Sequence, residues 1–175
     1  MPASNLLDLK RTIRTIPNFP KKGILFRDIT PLLTDHEKFK FCIDHFVTLT
    51  HDKIDFVVSI ESRGFIFGSA LAYALGAGFV PIRKEGKLPH KTFSTSYDLE
   101  YGKANIEIHQ DALHQGSTVL IVDDVLATGG TALASIQLAE KLGASILGVY
   151  FLIELLDLNG RARLKNYSTH SLISF

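Results

Sequence analysis

The apolar run Val119, Leu120, Ile121, Val122 ends on two adjacent acids, Asp123 and Asp124, and then on the turn Ala127, Thr128, Gly129, Gly130, Thr131. Two glycines let the backbone turn tightly enough for its N–H groups to approach an anion. Thr128 and Thr131 add hydroxyl donors, and a helix starting here would aim its positive end at the same point. The loop matches neither G-x-x-x-x-G-K-[ST] nor G-x-G-x-x-G, so the two commonest nucleotide signatures do not apply. Carboxylates beside a phosphate loop need a partner of their own. Sugar hydroxyls donate to carboxylates, and hard cations such as Mg2+ bind them directly or through water. A ligand that carries a phosphate next to a ribose diol satisfies the whole stretch.

Two further clusters carry charge that such a ligand could use. Arg83, Lys84, Lys87 and Lys91 stand against the one acid Glu85, with Gly86 and Pro89 making the segment irregular. Alone this is a solvated basic loop; beside a phosphate site it is a polyanion clamp, able to move. No aromatic residue interleaves with the basic ones between 83 and 91, which argues against nucleic acid. In Glu61-Ser62-Arg63-Gly64-Phe65 an arginine can reach an anion while Gly64 lets the chain turn. Ser62 sits in no triad arrangement, and His109 and His114 show no zinc spacing. Glu100 and Tyr101 lie in the polar stretch SYDLEYGK, where a single acid is ordinarily surface charge.

Positioning these loops requires a scaffold, and the hydrophobic pattern supplies one. Leu6, Leu9, Ile13 and Ile16 recur at helical spacing with Ser4 or Asn5 as cap, and residues 17–33 are rich in proline and irregular. Asp35 caps a helix with the apolar face Phe39, Cys42, Ile43, Phe46 and Val47. FVVSI (56–60), FVPIR (79–83), TVLIVDD (118–124) and SILGVYFLIEL (145–155) are buried strands, and IEIH (106–109) alternates. Helices fall at GFIFGSALAYALG and at residues 130–143, with a polar stretch over 84–103. Strands alternating with helices predict an α/β fold with a parallel sheet covered on both faces. In such sheets ligands sit outside the carboxyl ends of the strands, which is where all three charged loops lie.

With 175 residues, 46% hydrophobic and 21% charged, the chain suits one folded domain over residues 1–175. A net charge of +1 offers no global field for nucleic acid, so an anion site must be local. No run approaches the ~18 apolar residues of a membrane span, and the one cysteine, Cys42, forms no intrachain disulfide, which fits a cytoplasmic protein.

VLIVDDVLATGGT also resembles the phosphoribosyl-pyrophosphate-binding motif of type I phosphoribosyltransferases. Together with FRDITPLL (26–33), ESRGFIFG (61–68), IRKEGKLP (82–89) and LEYGK (99–103), in the family's order, it makes residues 17–155 similar to the adenine phosphoribosyltransferases. The resemblance implies the type I phosphoribosyltransferase fold: a central parallel sheet flanked by helices, with a small N-terminal hood from about residues 1–34. It implies adenine plus phosphoribosyl pyrophosphate (PRPP) giving AMP and pyrophosphate in purine salvage, by a homodimer. It also implies Mg2+ carried by PRPP or pyrophosphate rather than by direct protein ligands, with Asp123 or Asp124 reaching it through water.

Residue by residue, the resemblance gives Asp123 and Asp124 to the ribose hydroxyls and Ala127, Thr128, Gly129, Gly130 and Thr131 to the 5′-phosphate. Ser62, Arg63, Arg83, Lys84 and Lys87 fall on the pyrophosphate side. The Ser62 loop in this family carries a non-proline cis peptide, and part of the 83–87 loop in related enzymes reaches the neighbouring subunit. Leu25 offers backbone groups to the adenine edge, Phe26 stacks on the ring and Arg27 braces it. Glu100, Tyr101 and Arg63 are the catalytic candidates. Two positions depart from the family pattern: Lys22, where many relatives have Pro, and Glu61, where a smaller side chain is common. Enzymes for 6-oxopurines and non-catalytic PRPP sensors are the competing readings. The FRDIT and LEYGK segments oppose the first, and the lack of room for a DNA-binding extension opposes the second.

Overall fold

A computed structural model describes residues 3–99 and 102–175. The opening helix, α1 (Ala3–Thr12), stops before the apolar spacing does. Ile16 belongs instead to β1 (Arg14–Pro17), paired antiparallel with β2 (Leu25–Asp28). Pro17 cannot continue a helix, and the β-branched residues Thr12, Ile13, Thr15 and Ile16 favour extended backbone. This ribbon is the hood. After α2 (Thr30–Leu33), α3 (His36–Leu49) starts as expected: Asp35 accepts from the Lys38 N–H at 3.2 Å.

The sheet follows: β3 (Phe56–Ile60), α4 (Gly64–Leu75), β4 (Gly78–Lys84), β5 (Thr92–Leu99), β6 (Gly102–His109), β7 (Thr118–Leu126), α5 (Gly130–Lys141), β8 (Ser145–Glu154) and β9 (Thr169–Ser174). Among the described residues these seven strands run in the order β5-β6-β4-β3-β7-β8-β9. The five from β4 to β9 are parallel, while β6 and β5 turn back antiparallel at one edge, so the sheet is mostly rather than wholly parallel. The antiparallel edge occupies much of the 84–103 stretch, which the sequence marks only as polar.

Strand residues feed two cores in alternation. Val57, Leu120 and Val122 face the layer containing α1 and α3 with Leu9, Ile43 and Phe46. Val58, Val119 and Ile121 face α5 with Ile136 and Leu138. A strand buried on both faces must be apolar throughout, which is why VLIV is continuous rather than alternating. Because β4, β3 and β7 are parallel neighbours, their carboxyl ends and the three charged loops share one edge of the sheet.

Candidate functional site

A cavity of about 420 Å3 lies at that edge, walled by the hood on one side and by the exits of β3 and β7 on the other. Leu25, Phe26 and Arg27 line it, as do Ser62, Arg63, Asp123, Asp124, Ala127 and Thr131. A side pocket of about 60 Å3, shared with Asp123, Ala127 and Thr131, is shaped by Thr128 and Gly129. A roomier groove of about 530 Å3 lies between α1 and α3. There the central Lys38 is already paired with Asp8 and Asp35 at 3.5 and 3.3 Å, which leaves little unmet chemistry.

The turn 127–131 is set by close backbone packing. Gly129 has φ +79° and caps α5, and a Cβ on it would lie 2.5 Å from the Gly160 carbonyl oxygen. Gly160 in turn has room for no side chain, since a Cβ there would sit 2.1 Å from the Ala127 oxygen. The cradle thus rests on a segment 30 residues downstream that its own motif does not mention. At the head of α5, which begins at Gly130, the first N–H groups have no helical acceptor and the dipole is positive.

The two acids differ in their surroundings. Asp123 Oδ1 accepts from the Asp124 N–H at 2.9 Å, and Gly64 must be small to let α4 start against it. The Arg63 Nε lies 2.8 Å from Asp124 Oδ2, but its N–H does not point along that line. The contact is ionic, and this buried oxygen has no hydrogen-bond donor among the described residues. Burial, and then the charge of Asp124, push the Asp123 carboxyl well above the usual range. Burial raises Asp124 too, opposed by Arg63. A buried acid pair with an unmet oxygen is suited to hydroxyl donors or to a cation that removes the repulsion.

Arg63 also reaches the hood, its guanidinium 5.0 Å from the Phe26 ring centroid, and Phe19 meets Phe26 edge-on at 5.1 Å. Arg27 donates to the Thr15 hydroxyl across the ribbon and stacks 3.9 Å over the Phe175 ring. These contacts tie the ribbon to the start of α4 and to the C-terminal residue, with Phe26 on the cavity wall. The peptide Glu61–Ser62 is cis, where the family resemblance put one.

Arg83, Lys84 and Lys87 do not line the cavity; they are tied to Glu61, which does. Glu100 and Tyr101 lie outside the described residues. Tyr97, on the cavity wall, escaped the reading of the sequence, and Glu61, also on that wall, stood out only as a departure from the family pattern without a role. Tyr97 sits in a polar stretch with no apolar pattern, and Glu61 is recognisable only through partners 22 and 26 residues away. No group of three or more His, Cys, Asp or Glu residues able to hold a metal occurs among the described residues. No helix there is long and apolar enough to cross a membrane.

The site combines a buried acid pair and a Gly/Thr turn at a helix start on a mostly parallel sheet, and comparison gives the class. The family model described as phosphoribosyl transferase domain matches residues 33–173, and the chain belongs to that family. The adenine phosphoribosyltransferase of Thermotoga maritima is 56% identical over 97% of this chain and 98% of its own length. Among solved structures, adenine phosphoribosyltransferase from Thermoanaerobacter pseudethanolicus superposes with TM-score 0.94 at 51% identity, covering 97% of this chain and 99% of that one. The Saccharomyces cerevisiae enzyme, solved with an imino-altritol bisphosphate and adenine, gives 0.91 at 45% identity over 97% and 99%.

Proposed function

We propose that this cavity transfers the 5-phosphoribosyl group of PRPP to adenine, giving AMP and pyrophosphate in purine salvage. One observation carries the reading: an acid pair with an unmet buried oxygen, a phosphate cradle and an aromatic hood face a single cavity. Relatives of more than half identity across their whole length bear the name adenine phosphoribosyltransferase.

In this reading the N–H groups of residues 127–131 and the Thr128 and Thr131 hydroxyls hold the 5′-phosphate. Asp123 and Asp124 accept from the ribose hydroxyls, and the unmet Asp124 Oδ2 gains its donor. As the bond from C1 to pyrophosphate breaks, positive charge grows on the ribose and negative charge on the leaving group. Arg63 and the Ser62 backbone meet that leaving group, with Arg83, Lys84 and Lys87 behind them. Adenine lies under the hood, stacked on Phe26, met at its edge by the Leu25 backbone and braced by Arg27. It attacks through N9 and gives up a proton; Glu100 is the carboxylate proposed to take it, with Tyr101 beside it. Closure over the site excludes water, which would otherwise capture the ribosyl centre.

Two hard carboxylates, with no third candidate ligand among the described residues, would suit an Mg2+ that arrives on PRPP or pyrophosphate and is met by Asp123 or Asp124 through water. When bound, that ion would supply charge neutralisation to the departing pyrophosphate. We take residues 1–175 as one domain with its hood at about 1–34. The proposed assembly is a homodimer; exposed apolar side chains on α4, Tyr73 at 91% and Ile66 at 37%, are consistent with a face that a second copy would cover. The proposed setting is the cytoplasm, consistent with one buried thiol, Cys42, pushed up to about 12 by burial.

The test supplies PRPP and Mg2+ with adenine, hypoxanthine or guanine and follows nucleotide and pyrophosphate. AMP from adenine, at a rate at least about 10^3 above the 6-oxopurines, is expected, since a buried polar edge discriminates strongly. Intact PRPP binding without AMP formation would overturn the enzymatic reading. Faster turnover of hypoxanthine would move it to a different base.

A further inference from the structure

Glu61 stands where the chain leaves β3 and touches three groups at the end of β4 and in the loop after it. Its Oε1 accepts from Lys87 Nζ at 2.7 Å and from Arg83 Nη2 at 3.3 Å; its Oε2 accepts from Arg83 Nε at 3.3 Å and from the Lys84 N–H at 3.1 Å. The carboxylate side chain is 10% exposed, while Arg83 and Lys87 are 35% and 48% exposed. Glu61 therefore lies between the cavity and the cations that the proposed function gives to pyrophosphate.

We propose that the Glu61 carboxylate is an internal counter-anion of this clamp, occupying Arg83 and Lys87 in the empty site and competing with pyrophosphate for them. The inference rests on the reading that these cations meet pyrophosphate. It makes Glu61 a positioning residue that keeps the cations in register yet limits how tightly the product is held. Both roles follow from one geometry, because a dianionic group entering beside Ser62 and Arg63 must draw the same two cations from Glu61. Burial by itself would raise the Glu61 carboxyl, but Lys87, Arg83 and the Lys84 amide bring it to about 2, so its charge is present throughout the neutral range.

Removing the charge could either disorder the loop or free the cations, and the local bonding decides between them. The loop is braced without Glu61: Glu107 accepts from the Gly86 N–H at 3.1 Å, and Asn105 donates to Glu85 at 2.8 Å. The Glu85 N–H donates to the Asn105 carbonyl at 3.3 Å, and Arg83 donates to the Lys87 carbonyl at 3.1 Å. The cations stay near their places, and the electrostatic gain prevails. Their partial exposure screens the effect to about tenfold rather than several orders of magnitude.

The experiment titrates the wild type, Glu61→Gln, Glu61→Asp and Lys87→Ala with magnesium pyrophosphate and with AMP in a calorimeter, alongside steady-state kinetics. Glu61→Gln should bind pyrophosphate about tenfold more tightly and AMP within twofold of the wild type. KM for PRPP should fall without a rise in kcat, whereas a merely structural defect would raise KM and lower kcat. Glu61→Asp, which restores the charge, should stay within about threefold of the wild type. Glu61→Ala removes the same charge and carries the same expectation should the Gln variant fail to fold. Unchanged or weaker pyrophosphate binding in a folded Gln or Ala variant overturns the counter-anion role, as does equal tightening in Asp. If Lys87→Ala leaves pyrophosphate binding intact, the clamp reading itself falls, which is a distinct result.

Discussion

Two glutamates at the carboxyl edge of the sheet look alike and are wired differently. Glu61 follows β3 and Glu154 ends β8; both side chains are nearly buried, at 10% and 8% exposure, and both grip an arginine with two oxygens. The partners of Glu154 are Arg161 and the Ser171 hydroxyl at 2.6 Å, and Arg161 also donates to the Thr169 carbonyl. That network joins β8 to β9 and anchors the segment bearing Gly160, the floor of the 127–131 turn. Every acceptor it uses is protein. Glu61 instead holds two long, partly exposed cations, one at the end of β4 and one in the loop beyond it, with the cavity at its back. The same acid–arginine unit is a strut where all its partners belong to the fold. It is a tunable charge where a ligand can replace it.

Lys87→Ala should give the largest effect, about a hundredfold loss of turnover with AMP affinity held within threefold, because AMP lacks the pyrophosphate that Lys87 would meet. Equal losses in both measurements would break the functional half of the contrast. Arg161→Ala should act on the other half: it strands a buried carboxylate and, after allowance for Arg161 being 44% exposed, costs about 1–3 kcal/mol of stability. Its melting temperature should drop by about 2–4 °C for each kcal/mol lost, while Lys87→Ala should melt with the wild type.

The pH dependence of that penalty sharpens the strut reading. Arg161, with Ser171 also helping, holds the Glu154 carboxyl below its ordinary value of 4.5 in the folded state. A depressed carboxyl contributes stability that is complete above 4.5 and is lost as pH falls. The difference between wild type and Arg161→Ala should thus be constant from pH 7 to about 5 and shrink below about 4.5; a penalty unchanged in acid would assign the loss to packing alone. The smallest effect is expected for Glu107→Gln, which keeps an acceptor for the Gly86 N–H and should move pyrophosphate affinity less than about threefold. A larger change would mean that the clamp loop is not independently braced.

The central strands were legible because burial on both faces leaves uninterrupted apolar runs, and FVVSI and TVLIVDD fall inside β3 and β7. TFSTSYDL was not legible as β5, since an edge strand paired along one side only needs no apolar pattern. THSLIS, with two apolar residues, hid β9 in the same way, and with it the support for Glu154. At the site, the acids and the Gly/Thr turn could be picked out as cavity-lining residues because they are nearly consecutive. Tyr97, Gly160 and the role of Glu61 could not, since each acquires its place through distant contacts.

The sequence by itself determined which groups stand together in the central stretch. Adjacent carboxylates and a Gly/Thr turn fall within nine residues, a set that the proposed function gives to a ribose bearing a phosphate, and backbone geometry over so short a span leaves little freedom. Only the tertiary structure decided which charges face one another. Burial raises Asp123 and Asp124, and folding brings Arg83 and Lys87 onto a carboxylate 22 and 26 residues away. Charge–charge energies depend on separation and on access to water, and neither quantity exists until the strands are side by side.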